Sequence, residues 1–113
     1  MRADRSAGRP PRENAMRIGI VGGMDRSAGA LREVATAGGH EIEFHTGVVS
    51  STSSALSLKA LVGRAELVVV VTDVNSHNGV RAARREARLR HRPLKIARRL
   101  GTAQLAALLE GLG

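Results

Sequence analysis

The sequence predicts an α/β fold in which a four-stranded parallel sheet lies between two layers of helices. Strand-like and helix-like segments alternate four times along the chain, and this pattern requires a parallel sheet covered by helices on both faces. The run Leu67–Val71 is continuous and rich in valine, which is typical of a central strand that is buried on both sides. The expected strand order is 2-1-3-4, as in small Rossmann-like and flavodoxin-like domains, with a topological switch point between the first and third strands.

The first half of the folded region contains two strand–helix pairs. Glycine pairs end the first strand and the first helix, because glycine adopts the turn conformations that stop both elements. The second strand alternates apolar and polar residues, as a strand near the sheet edge does. The predicted order is a strand over 16–21, a helix to about Ala37, a strand over 41–45, a Ser/Thr-rich loop over 46–54, and a helix ending near Gly63.

The second half repeats this pattern around the central strand. Polar residues 73–79 follow the strand and begin a strongly basic helix. Pro93 separates that helix from a short strand over 94–96, because proline disfavours helical backbone in the residue before it. Thr102 then caps a last helix with a leucine stripe.

Length and composition indicate one domain. The chain has 113 residues, of which 42% are apolar, but Phe44 is its only aromatic residue, so valine, leucine, isoleucine and alanine must form the core. Residues 1–15 are polar and contain two prolines without any periodicity. We therefore expect a disordered basic tail over 1–15 and a single folded domain over 16–113.

Several classes of protein are excluded or disfavoured. No apolar run approaches the roughly 20 residues that cross a bilayer, and we expect no membrane partner and no signal peptide. The absence of cysteine excludes disulfides and thiolate chemistry, and it is consistent with a cytoplasmic protein.

Three segments in this order resemble a bacterial family known as domain of unknown function 2325. They are the opening RIGIVGG, the segment VVVVTDVNSHNG, and the basic helix that leads into Arg92-Pro93. The resemblance covers about residues 16–112. It implies a Rossmann-like fold, and it carries over the family's Ser-His pair as Ser76-His77 and its glycine pair as Gly22-Gly23.

The residues after the first and third strands form the predicted ligand site. Gly22 and Gly23 open a helix, where backbone amides can hold an anion, although the dinucleotide fingerprint GxGxxG is not present. In parallel sheets the carboxyl ends of neighbouring strands meet at one edge, so the segment after the third strand should lie beside this pair. The predicted ligand-binding residues are Gly22, Gly23, Arg26, His45, Asp73, Ser76, His77, Asn78 and Gly79.

Asp73, Ser76 and His77 have the residue types of a hydrolase triad. Ser76 and His77 are adjacent, however, and adjacent side chains point apart on most backbones, whereas a nucleophile and its base must meet. Capping of the basic helix by Asp73, Asn75 or Ser76 explains the same residues. The sequence therefore favours a protein without catalytic residues.

Two of the four histidines fall at the carboxyl ends of strands. His45 ends the second strand and His77 follows the third, so the two side chains could converge on a metal or a haem above Gly22. A haem propionate would suit Arg26 or Arg98. A chain with one aromatic residue lacks the apolar wall of a haem pocket, and an interface between subunits would have to supply it.

The basic charge is concentrated in one part of the chain. The net charge is +8, and residues 81–99 alone carry eight arginines and Lys95 against Glu86. Helical spacing aligns five arginines on one face, and such a face attracts phosphates. The basic face is formed by Arg81, Arg84, Arg85, Arg88 and Arg92.

We therefore expect a non-catalytic or regulatory domain that binds an anionic small ligand at the carboxyl ends of its strands. We expect it to form homo-oligomers. A histidine-ligated haem-binding oligomer is one alternative. The other is a nucleic-acid-binding accessory protein that uses the basic face; without interleaved aromatic residues it would not stack on single-stranded bases.

Overall fold

The computed structural model describes residues 15–23, 28–73 and 75–112. Within them, four parallel strands alternate with four helices, and the strand order is β2-β1-β3-β4. The predicted α/β class and strand order are confirmed. The elements are β1 (Arg17–Val21), α1 (Ala28–Ala37), β2 (Glu41–His45), α2 (Thr52–Arg64), β3 (Leu67–Val71), α3 (His77–Leu89), β4 (Leu94–Ala97) and α4 (Thr102–Leu112).

The sheet separates two apolar cores. Alternate residues of each strand point to opposite faces, so Ile18 and Val69 pack with α1 and α4, whereas Val68 and Val70 pack with α2 and α3. Every residue of β3 is buried, as the continuous valine run predicts. The three-layer arrangement follows from this division of the apolar side chains.

The order of the strands positions the site. β1 lies between β2 and β3, with Val21 opposite His45 on one side and Val70 on the other. The connections from β1 and β3 therefore leave the same edge of the sheet in opposite lateral directions, and this creates the predicted switch point.

The second helix begins earlier than the sequence predicted. Ser51 caps α2: its hydroxyl accepts a hydrogen bond from the Ser54 amide, and the Ser54 hydroxyl in turn accepts one from the Ser51 amide. The predicted loop over 46–54 is thus wrong in its last residues, because two serines three positions apart form a reciprocal cap. Almost all of the predicted tail, residues 1–14, lies outside the described residues. Arg26 also lies outside them.

None of the described helices combines the length and the apolar character needed to cross a membrane.

Candidate anion-binding site

Asn75 joins the carboxyl ends of the two central strands. Its side-chain amide donates to the carbonyl of Val21 at 3.1 Å and to that of Val71 at 2.8 Å, and its oxygen accepts from the Ser76 amide. The sequence indicated Asn75 only as an alternative helix cap. Its role was missed because it depends on Val21, which lies 54 residues away.

Ser76 is the N-cap of α3 rather than a nucleophile. Its hydroxyl accepts from the Gly79 amide at 2.8 Å and donates to the carbonyl of Gly47 at 2.6 Å. The single hydroxyl proton is therefore already used in a hydrogen bond to the backbone. The capping role expected of this segment is present, and the residue is not free to attack a substrate.

Gly79 allows the start of α3 to touch the loop that follows β2. A Cβ atom added to Gly79 would overlap the carbonyl of Gly47 and come within 2.8 Å of the Asn75 side-chain oxygen. Gly47 has a φ of +90°, and a Cβ there would also meet Asn75. Close packing of Gly47, Gly79 and Asn75 thus joins the loop after β2, the ends of the central strands and the start of α3.

The pair Gly22-Gly23 makes the tight turn after β1, with φ values of 96° and 98°. Only glycine adopts this conformation readily. The Gly22 amide donates to the carbonyl of His45 at 2.7 Å. This amide is therefore unavailable to an anion, which leaves Gly23 as the member of the pair that could contribute one.

His45 is held by the backbone on both sides of its ring. Nδ1 accepts from the Gly47 amide at 2.9 Å, and Nε2 lies 3.0 Å from the carbonyl of Ser54, to which it donates in the matching tautomer. Neither nitrogen has a free lone pair in this arrangement. The predicted metal or haem role of His45 does not fit the structure, and the residue instead orders the loop before α2.

His77 and Asn78 form the exposed first turn of α3. In the described part of the chain, no hydrogen bond engages the His77 ring. Among the same residues, no group of three or more histidine or acidic side chains is arranged to hold a metal ion. Because the backbone occupies both ring nitrogens of His45, the exposed ring of His77 is the one of this pair that remains open to a ligand.

Asp73 is committed to ion pairs with the segment after β4. Arg99 lies 3.0 Å from its carboxylate and Arg98 lies 3.6 Å from it. The hydrogen bond from Arg99, together with the charges of both arginines, lowers the pKa of Asp73. Asp73 therefore stays ionised, and Arg98, predicted as a propionate partner, already has an anionic neighbour.

A groove with a volume of about 690 Å³ runs along α3 beside these residues. Arg81, Arg84, Arg85 and Arg88 are exposed along one side. Four other residues complete the lining, and they belong to the start of α3 and to the region around the start of α2: Val49, Ala55, Asn78 and Ala82. The groove thus begins at the carboxyl edge of the sheet and follows the basic helix.

The opposite side of α3 anchors the helix to the sheet. Ala83 and Ala87 are fully buried, and Val80 packs beside them. Glu86 is 8% exposed and pairs with Arg90 at 3.4 Å. The only carboxylate of α3 is thus directed away from the groove and is matched by an arginine outside it.

Arg92 does not belong to the basic face as predicted. α3 ends at Leu89, and His91 has a φ of 56°, so the helical spacing stops before Arg92. The Arg92 side chain is partly buried and donates to the carbonyl of Gly63 at 2.9 Å. The face therefore contains four arginines, and the fifth ties the end of α3 to the end of α2.

The family model described as "Uncharacterized protein conserved in bacteria (DUF2325)" matches residues 17–112. The chain belongs to this family. Comparison with curated proteins and with solved structures returned no significant match. The match includes every described residue of the switch point and of the groove in this DUF2325 protein.

Proposed function

We propose that this DUF2325 protein is a non-catalytic binding domain for a multiply charged anion. The ligand would lie in the groove along α3, where it would contact Asn78 at the helix start and the arginines that follow. The observation that carries this proposal is the alignment of Arg81, Arg84, Arg85 and Arg88 along one groove. In the described part of the chain, no carboxylate lies within ion-pair distance of any of them.

Repulsion among these arginines supports an anionic ligand. Arg81 and Arg85, like Arg84 and Arg88, are four residues apart, and two further pairs are three apart. Each like-charge pair at such a spacing destabilises a helix by about 0.2–0.5 kcal/mol at low salt. An anion in the groove would replace this repulsion by charge-assisted hydrogen bonds, which planar guanidinium groups form well with phosphates and carboxylates.

The hydrogen bonds of Ser76 and the ion pairs of Asp73 argue against an enzyme. The Ser76 hydroxyl donates to the carbonyl of Gly47 and accepts from the amide of Gly79, and Asp73 is paired with two arginines. Among the described residues at this edge, no nucleophile and base meet. We therefore assign recognition, rather than reaction, to the site, and we expect it to operate in the cytoplasm.

A haem-binding oligomer is the alternative supported by His77. Its exposed ring could provide one axial ligand, but the groove beside it offers only alanine and valine side chains as an apolar wall. A second chain would have to complete such a pocket. The edge strand β4, with Ile96 half exposed, is a surface on which we propose that homo-oligomers form. An intense visible absorption band in the purified protein would favour haem over the anion.

We expect inorganic tripolyphosphate to raise the melting temperature of the protein. A ligand that binds only the folded state stabilises it by about 2.7 kcal/mol at 100 times its Kd, which corresponds to roughly 10 °C for a domain of this size. Thermal unfolding should be followed with tripolyphosphate and with sodium chloride at equal ionic strength. The excess stabilisation by tripolyphosphate measures specific binding rather than screening.

Two double variants with the same change of charge test whether the anion binds in the groove or elsewhere on the basic surface. Arg81→Gln combined with Arg85→Gln should remove most of the excess stabilisation. Arg32→Gln combined with Lys95→Gln removes the same charge elsewhere, since Arg32 stacks over Phe44 and Lys95 lies beside α4. Equal melting temperatures in the two salts, or equal losses in the two double variants, would contradict anion binding in the groove.

A further inference from the structure

We infer that the anion bound along α3 is the phosphate backbone of double-stranded nucleic acid, and this inference rests on the proposed function. The surface is linear: Arg81, Arg85 and Arg88 follow one another along the helix axis. At about 1.5 Å per residue, Arg81 and Arg88 are roughly 10 Å apart along that axis. Along the duplex axis one strand of DNA carries a phosphate about every 3.4 Å, so α3 aligned with that axis would span about three phosphates.

The openness of the groove favours a polymer over a small molecule. Pockets for small ligands bury most of the ligand surface and place a few polar groups around it. Here the four arginines of the groove are exposed on the surface of the helix, and among the described residues no aromatic or large apolar side chain closes the groove above them. A phosphate backbone can lie along such a groove while its outer side stays in water.

The lining also distinguishes duplex from single-stranded nucleic acid. Proteins that bind single strands stack bases on aromatic side chains, and the only aromatic residue of the chain, Phe44, packs in the core on the other face of the sheet. The groove residues offer charge and hydrogen bonds but no stacking surface. This composition suits a ligand whose bases are already paired and whose phosphates face outward.

The position of α3 favours the backbone over the bases. A recognition helix protrudes so that it can enter the major groove, whereas α3 shares its groove with Val49 and Ala55 from the region around the start of α2. The phosphate backbone of a duplex can enter this groove of the protein, whereas α3 itself does not protrude enough to enter the major groove of DNA. A membrane surface is also disfavoured, because the apolar side of α3 is buried against the sheet and cannot insert into lipid.

The test is fluorescence polarisation with a labelled 20-base-pair duplex over a range of salt concentrations. We expect binding that weakens with salt with a log–log slope of about −3, since each neutralised phosphate contributes about 0.9. Two duplexes of different sequence should bind equally well. The combined variant Arg81→Glu, Arg85→Glu and Arg88→Glu should weaken binding at least about tenfold and flatten the slope. Arg32→Glu combined with Lys95→Glu serves as the control outside the groove and should keep the slope.

The outcomes separate this inference from the proposal beneath it. If tripolyphosphate stabilises the protein but the duplex does not bind, the duplex inference fails and anion binding stands. If neither binds, both fail. The inference would also be overturned if the protein bound the single strand more tightly than the duplex. Binding to vesicles of anionic phospholipid without binding to nucleic acid would overturn it as well. So would a loss in the control variant equal to that in the groove variant.

Discussion

Val69→Asp should abolish folding. Val69 is fully buried in the middle of β3, between β1 and β4, and its side chain packs in the core formed with α1 and α4. An unpaired carboxylate at this point costs several kcal/mol, or must take up a proton to remain buried. Small domains are stable by only about 5–15 kcal/mol, so most of this reserve would be lost. Circular dichroism and chemical denaturation should show no cooperative transition.

Val48→Asp provides the matched control for this prediction. Val48 lies in the loop between β2 and α2 and is 50% exposed, so the same chemical change there should alter the free energy of unfolding by less than about 0.5 kcal/mol. A soluble Val69→Asp protein that unfolds cooperatively like the control would show that β3 is not the buried centre of the sheet.

Gly79→Ala should destabilise the protein by at least about 2 kcal/mol, because the new methyl group meets backbone as well as side-chain atoms. The carbonyl of Gly47 lies where the Cβ atom must go, and it also accepts the hydrogen bond of Ser76. Relief of the overlap requires the loop and α3 to move apart, which weakens the helix cap as well. Urea denaturation measures the loss of unfolding free energy directly.

Gly29→Ala tests the same substitution where there is room. Gly29 lies in α1, and a Cβ atom built there meets no described residue outside its own helical turn within 4 Å, so alanine should be neutral or stabilise the helix by up to about 1 kcal/mol. If Gly79→Ala were as stable as Gly29→Ala, the close approach of α3 to the Gly47 loop would be wrong.

The fold could be predicted because its signals are local in the sequence. The valine run of β3 and the alternation of β2 fixed which strands are central and which lie at the edge. The glycines after β1 and α1 marked two boundaries correctly. The start of α2 was less accurate, because a serine-rich segment resembles a loop until the reciprocal cap of Ser51 and Ser54 is recognised.

The site was harder to predict, because its contacts join distant parts of the chain. The sequence placed His45 and His77 on one edge correctly, but it could not show that the ring of His45 is occupied by the backbone of Gly47 and Ser54. Likewise, Asn75 bonds to Val21, and nothing near either residue indicates the other.

Helical periodicity alone predicted most of the basic face, but not where it ends. Helical spacing identified Arg81, Arg84, Arg85 and Arg88 correctly as neighbours, but it extended the series to Arg92 beyond the end of the helix. Val49 and Ala55, which also line the groove, had no signal in the sequence, since they come from the preceding loop and helix.

A titration of ¹⁵N-labelled protein with tripolyphosphate, followed by amide chemical shifts, shows most directly whether an anion binds along α3. Binding in the groove predicts that the largest changes occur from Asn78 to Arg88, with smaller ones at Val49 and Ala55. The amides of α1 and α4, on the other face of the sheet, should remain unchanged. Changes centred on α1 or α4, or changes spread evenly over all basic residues, would contradict an anion site along α3.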